Sequence, residues 1–172
     1  MKLNLLMDKQ MLESNLNRVQ EWIRAADNKV SILLAIEGIL ITLILSDSML
    51  AYVKTIQQNS FTITILIGSL VFLFVSSYKA TLTIVPRLSR KNMKASLLFF
   101  GSISTMELKD FDKKIKEMDE KQYINQIIEQ IHISSIIASS KHHNFKDSVI
   151  ALSVSLILLG AAWFTQFYPY GF

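Results

Sequence analysis

Three long apolar runs, set between charged stretches of unequal length, dominate the chain. The first reads VSILLAIEGILITLIL from Val30 to Leu45, and the second FTITILIGSLVFLFVSSYKATLTIV from Phe61 to Val85. The third reads VIALSVSLILLGAAWFTQFY from Val149 to Tyr168. A bilayer crossing takes roughly 20 mostly apolar residues. The first run is short of that, and Ala25, Ala26 and the segment from Ser46 to Tyr52 extend it. Each run is apolar on all faces, and three such runs leave too little amphipathic chain to wrap them as core helices of a soluble domain. The strand propensity of Phe61-Thr62-Ile63-Thr64-Ile65 is local and does not outweigh this. The pattern predicts an all-α integral membrane protein with three transmembrane helices.

The polar stretches carry their own periodicity. Leu12, Leu16, Val19, Ile23, Ala26, Val30 and Leu33 recur at alternating steps of three and four, one helix stripe running straight into the first span. A helix from about Asp8 to Leu45 would be roughly 55 Å long. Ile124, Ile127, Ile128, Ile131, Ser134, Ala138, Phe145, Val149 and Leu152 fall mostly on one face, and no Pro or Gly interrupts Met106 to Gly160 except at its end. A helix from about Lys121 therefore continues into the third span. Pro86 marks the break after the second span, Leu97 to Ile103 reads as a loop, and Ser104-Thr105-Met106-Glu107 fits a capping box opening a helix from about Thr105 to Asp119. The expected organisation is a cytoplasmic N-terminal helix (1–29), transmembrane helices 1 and 2 (30–85), a cytoplasmic helical region (86–147), and transmembrane helix 3 with an external tail (148–172). Two of the membrane helices extend into the cytoplasm as a helical stalk or bundle.

Composition sharpens this through the placement of charge. The chain is 51% apolar over 172 residues, a value soluble domains also reach. Its net charge of +4 would suggest nucleic acid in a soluble protein. Here the basic residues flank the apolar runs, so membrane lipid and not nucleic acid is the expected partner. Five Lys and Arg precede the first span, one (Lys54) separates the first two, eleven separate the second and third, and none follows the third. The positive-inside rule then places the N-terminus and the long loop in the cytoplasm and the C-terminus outside, as in a multi-pass inner-membrane protein. Trp163, Phe167, Tyr168 and Tyr170 lie at the far end of the third span, where aromatic residues favour the interface. The opening residues lack the pattern of a secretory signal. With no cysteine, thiol chemistry and Cys-based metal sites are excluded.

Catalytic motifs do not emerge: the sequence has no Gly-rich phosphate loop, nucleophile elbow or metal signature, and no cofactor is expected. His142 and His143 are adjacent and diverge by about 100° on a helix. Ionisable residues within the spans are the stronger signal, because each is costly in lipid unless paired or solvated. Glu37 lies roughly 12 Å and Lys79 roughly 9 Å from the cytoplasmic edge of antiparallel neighbours. They are expected to form an intramembrane polar pair; the alternative is a snorkelling Lys79 and a protonated Glu37. Ser76, Ser77, Ser153 and Ser155 read mainly as small residues for helix packing. At the membrane boundary, Arg24 and Asp27 are spaced to pair at i,i+3, with Lys29 beside them. Arg87, Arg90, Lys91 and Lys94 form a second basic group, and Lys141 and Lys146 a third. The three groups read either as anchors to lipid phosphate or as an anion site.

These boundary residues carry a resemblance. Arg24-Ala25-Ala26-Asp27-Asn28-Lys29 followed directly by an apolar span resembles the opening of the Pycsar transmembrane effectors. Leu98-Phe99-Phe100-Gly101-Ser102-Ile103 is similar to that family's aromatic-Gly-Ile loop, and Ser140-Lys141-His142 with Lys146 to the segment before its last span. His142 departs from the family's aromatic residue there. The resemblance implies a bacterial antiphage effector that senses a cyclic pyrimidine mononucleotide, cyclic UMP or cyclic CMP, made by a partner cyclase. Such an effector impairs the inner membrane and causes abortive infection. The expected ligand-binding residues are Arg24, Asp27, Lys29, Arg87, Arg90, Phe99, Phe100, Lys141 and Lys146, with the basic side chains meeting the phosphate and Phe99, Phe100, Tyr123 or Phe145 stacking on the base. A homo-oligomer is expected, since three helices alone are too thin to enclose a wide pore. A related effector gated by another nucleotide or a partner protein, and a non-enzymatic membrane scaffold, are the competing readings.

Overall fold

A computed structural model of the chain describes residues 2–55, 60–85 and 96–165. Every regular element among them is helical: α1 (Lys2–Ile44), α2 (Asp47–Thr55), α3 (Ser60–Ile84), α4 (Phe100–Ile103), α5 (Leu108–Glu117) and α6 (Glu120–Phe164). The chain divides into two compact units. One comprises residues 1–25 and 86–140, the other residues 26–85 and 141–172. α1 and α6 each contribute to both without a break in the helix.

α1 and α6 follow the expected stripes. Val19, Ala26, Val30 and Leu33 are buried, and Leu12, Leu16 and Ile23 half-buried. α1 starts at Lys2, several residues earlier than the stripe required, and α6 starts at Glu120. α6 opens on a reciprocal cap. The Gln122 N–H donates to Asp119 Oδ1 at 2.6 Å and the Asp119 N–H to Gln122 Oε1 at 3.3 Å.

Three local expectations change. The first span does not run on through Ser46. The helix ends at Ile44, and α2 begins at Asp47 after a turn in which Ser46 Oγ donates back to the Leu43 carbonyl at 2.7 Å. Ser46, Asp47 and Ser48 offer the backbone local partners that compete with the helix ladder. The capping box at Ser104 does not form. The N–H groups of Thr105 and Met106 bond back to Ser102 and Ile103, closing α4, and Ser104 Oγ donates to the Gly101 carbonyl. α5 consequently begins at Leu108 with Glu107 as N-cap. Leu97–Ile103, expected as a loop, contains the single turn α4.

In the first unit Val19, Leu97, Ile127 and Ala138 are buried. The Gln126 side chain holds the segment before α4 by accepting from the Leu97 N–H at 2.9 Å, and Gln130 donates to Ser96 Oγ at 3.1 Å. Tyr123 donates to Glu13 Oε1 at 2.9 Å, fastening α6 to α1. In the second unit Val30, Leu33, Leu73, Ala80 and Leu152 form one apolar cluster, with Leu34, Leu40, Ile44 and Phe145 packed on it.

Candidate functional site

The second unit buries polar side chains beside its apolar cluster and exposes large apolar ones. Its fully buried side chains include Glu37, Thr62, Ser69, Ser76, Thr83, Ser148 and Ser155. Its exposed side chains include Ile32, Ile39, Leu43, Phe61, Phe74 and Ile157, each more than half exposed. A soluble domain seldom exposes so many large apolar side chains while burying this many polar ones. α3 and α6 are the two helices among the described residues that are long and apolar enough to cross a membrane. α1 carries Asp27, Lys29 and Glu37 in or beside its apolar end.

α3 and α6 meet along small polar residues at a seven-residue repeat. Ser69 Oγ donates to the Ser155 carbonyl at 3.1 Å, and Ser155 Oγ to the Ser69 carbonyl at 2.9 Å. One heptad along, Ser76 Oγ lies 2.9 Å from the Ser148 carbonyl, and Ser148 Oγ donates to the Ser76 carbonyl at 2.9 Å. Thr62 and Thr165 hydroxyls meet at 3.1 Å toward the other end. The pairs descend α3 as they ascend α6, as antiparallel neighbours must. A repeat of 3.5 residues per turn keeps the seam facing the partner. Small residues let the backbones approach, and a side chain bonded to the facing carbonyl leaves no polar group open in an apolar surround.

Glu37 sits at this seam, 1% exposed. Its carboxyl is bonded to Ser76 Oγ and accepts from Ser77 Oγ at 2.7 Å. The expected pair with Lys79 is not formed. Lys79 Nζ instead donates to Asp147 Oδ2 at 2.9 Å, where His143 Nε2 also approaches at 3.5 Å. The reason is register. The Ser76 and Ser77 hydroxyls come level with Glu37, while Lys79, most of a turn further on, is level with Asp147 of α6. The stripe of α1 could have shown that Glu37 points inward, since it continues the steps of four and three from Val30 and Leu33. Nothing in the sequence singled out Asp147.

The expected i,i+3 pairing of Arg24 with Asp27 gives way likewise. Asp27 is bonded to Lys141 of α6, whose side chain is 10% exposed, and Arg24 is exposed. Asp27 and Lys141 are thus committed to each other. Lys29 and Lys146 are exposed. Arg87 and Arg90 lie outside the described residues, as do Lys91 and Lys94. The Phe99 and Phe100 rings contact each other at 4.8 Å and 51°, and Phe100 is 65% exposed. The Phe99 ring lies over Gly101 so closely that a Cβ there would meet it at 2.5 Å, which explains the glycine in this turn. Ser76 and Ser155 pack in the seam as small residues, Ser77 binds Glu37, and Ser153 is exposed with its hydroxyl returned to the Val149 carbonyl.

Among the described residues no group of three or more His, Asp or Glu is placed to hold a metal ion. Comparison with known proteins gives the arrangement its context. No solved structure matches the chain. The Pycsar effector protein SaPycTM of Staphylococcus aureus is 25% identical over 145 residues, covering 83% of this chain and 87% of that protein. The Pycsar effector protein domain matches residues 11–166, which includes the stalk stripe, the buried seam and the boundary charges alike. The chain belongs to the Pycsar effector family.

Proposed function

We propose that this chain is an antiphage effector that senses a cyclic pyrimidine mononucleotide in the cytoplasm and breaches the inner membrane in response. The observation that carries the membrane half is the outer surface of the second unit, where isoleucines, leucines and phenylalanines are exposed around a buried seam of serines, threonines and Glu37. Exposed apolar surface on this scale calls for lipid. In this reading α1 crosses the bilayer beside α3 and α6. Its charges near the seam are absorbed by the Glu37–serine and Asp27–Lys141 contacts. The Lys and Arg distribution supports a topology with the N-terminus and the long loop in the cytoplasm and the C-terminus outside.

The ligand half rests on family membership. Of the expected ligand contacts, Asp27 and Lys141 pair with each other in the second unit, and the exposed Arg24, Lys29 and Lys146 are free to meet membrane phosphate. The two helices shared by both units, α1 and α6, offer a continuous route from a cytoplasmic binding event to the spans. A ligand shifts the packing only if it binds one arrangement better than another. Opening a wide path requires several copies, so the active form is a homo-oligomer.

The test is membrane potential in bacteria expressing the chain with a pyrimidine nucleotide cyclase or with its catalytically dead variant. Loss of potential with the active cyclase alone supports the reading. Unchanged potential in both sinks it, and equal loss in both favours a constitutive pore. A reporter fused after Phe172 that is active only in the cytoplasm would overturn the orientation.

A further inference from the structure

The first unit holds a cavity of about 380 Å³ lined by Lys9 of α1, Leu98, Ile115 of α5, and Met118, Glu120 and Tyr123 around the start of α6. The size is that of a small-ligand site. Its walls are mainly apolar, from Leu98, Ile115 and Met118, with one aromatic ring and two available charges. The ammonium of Lys9 stands 4.9 Å from the centroid of the Tyr123 ring. The Tyr123 hydroxyl is fixed by Glu13, so the ring is held in place. Asp119 also borders the cavity, but its carboxylate is engaged by the Gln122 N–H.

We propose that this cavity is the nucleotide site: the Tyr123 ring is the platform for the pyrimidine, Lys9 meets the cyclic phosphate, and Glu120 accepts from the edge of the base. The inference rests on the proposed function for the ligand class, and on the cavity for its location. The ligand's chemistry matches the lining part by part. A flat base stacks on an aromatic face regardless of its edge pattern. A single negative phosphate suits one ammonium that is already held by an aromatic face and gains a full counter-charge. The amino group of cytosine and the ring N–H of uracil are both donors, and a carboxylate accepts from either. The site sits where α1, α5 and α6 converge, so an occupant bridges the two helices that continue into the second unit. Leu98 places the aromatic-Gly-Ile loop at the same wall. The loop's role here is to deliver that leucine, while Phe99 covers Gly101.

The test measures binding of cyclic UMP and cyclic CMP to the purified full chain in detergent, for wild type, Lys9→Met, Tyr123→Leu, Tyr123→Phe, Leu98→Trp and Glu120→Gln. Helical content of each variant is checked by circular dichroism. Wild type is expected to bind at least one of the two. Tyr123→Leu and Lys9→Met each weaken binding roughly tenfold or more, Leu98→Trp fills the cavity and abolishes it, and Tyr123→Phe stays close to wild type. Glu120→Gln changes the ratio between the two nucleotides. If wild type binds while Lys9→Met and Leu98→Trp, both folded, bind equally well, the cavity is not the site and the proposed function stands. If folded wild type binds neither nucleotide, the ligand class fails, and this assignment with it.

Discussion

The seam between α3 and α6 allows a quantitative test at Ser69 and Ser155. Both are fully buried, and their side chains exchange two hydrogen bonds with each other's carbonyls, at 3.1 and 2.9 Å. Ser155→Ala removes one of these without adding volume. Side-chain hydrogen bonds between helices in lipid average about 0.6 kcal/mol, so this change should cost about that much and the double alanine variant roughly twice it. Ser155→Leu removes the same bond but forces a branched side chain into a contact that has no room for it. Overpacking adds about 1–3 kcal/mol, so the leucine variant should lie well below the alanine one. Stability is read by unfolding the detergent-solubilised protein in increasing denaturing detergent, following helicity. If Ser155→Leu is as stable as Ser155→Ala, the helices do not approach closely at this point and the close-packed seam is wrong.

Other outcomes follow from the same geometry. Asp147→Lys and Lys79→Asp should each destabilise the second unit, and the exchanged double variant should recover about 1 kcal/mol in the same unfolding assay. Failure to recover would mean that the 2.9 Å contact contributes no specific coupling. Gly101→Ala pushes the Phe99 ring off its rotamer at a cost of about 1 kcal/mol, and Phe99→Leu should remove most of that penalty in a thermal melt. The Glu13 carboxylate, helped by burial, holds the Tyr123 hydroxyl above its ordinary value of 10.0. The folded chain therefore keeps this proton to higher pH than the unfolded chain. The bond's contribution is complete below pH 10 and disappears as pH rises through the folded value. Unfolding measured from pH 8 to 11 should show this loss in wild type and not in Tyr123→Phe.

What the sequence disclosed follows from how far each signal is local. Periodicity is a property of one helix. Val19, Ala26, Val30 and Leu33 therefore marked the buried face of α1, and unbroken chain marked α6 as one helix of 45 residues. Pairing between helices is not local. Glu37 and Lys79 were matched by depth alone, and depth is too coarse to separate Lys79 from Ser76 less than one turn away. The difference decided the partners: serines for Glu37, and Asp147, which no motif had marked, for Lys79. Asp27 illustrates the same limit, since its contact comes from Lys141, more than a hundred residues away, and not from Arg24 on its own helix. The break at Ser46 is hard to see in the sequence because a helix ending without Gly or Pro leaves only the weaker signature of consecutive Ser, Asp and Ser. The Lys9–Tyr123 cavity was largely invisible. It assembles from α1, α5, α6 and the segment before α4, and of the four rings the sequence offers for a base, Phe99, Phe100, Tyr123 and Phe145, it is lined by Tyr123.

The most direct test of the central claim uses the purified chain alone, reconstituted into sealed vesicles of bacterial lipid that carry a potassium diffusion potential and a potential-sensitive dye. Addition of cyclic UMP or cyclic CMP should collapse the potential within the assay, with linear UMP and CMP leaving it intact. A potential that persists through saturating amounts of both cyclic nucleotides, in vesicles shown to contain folded protein, would contradict the account.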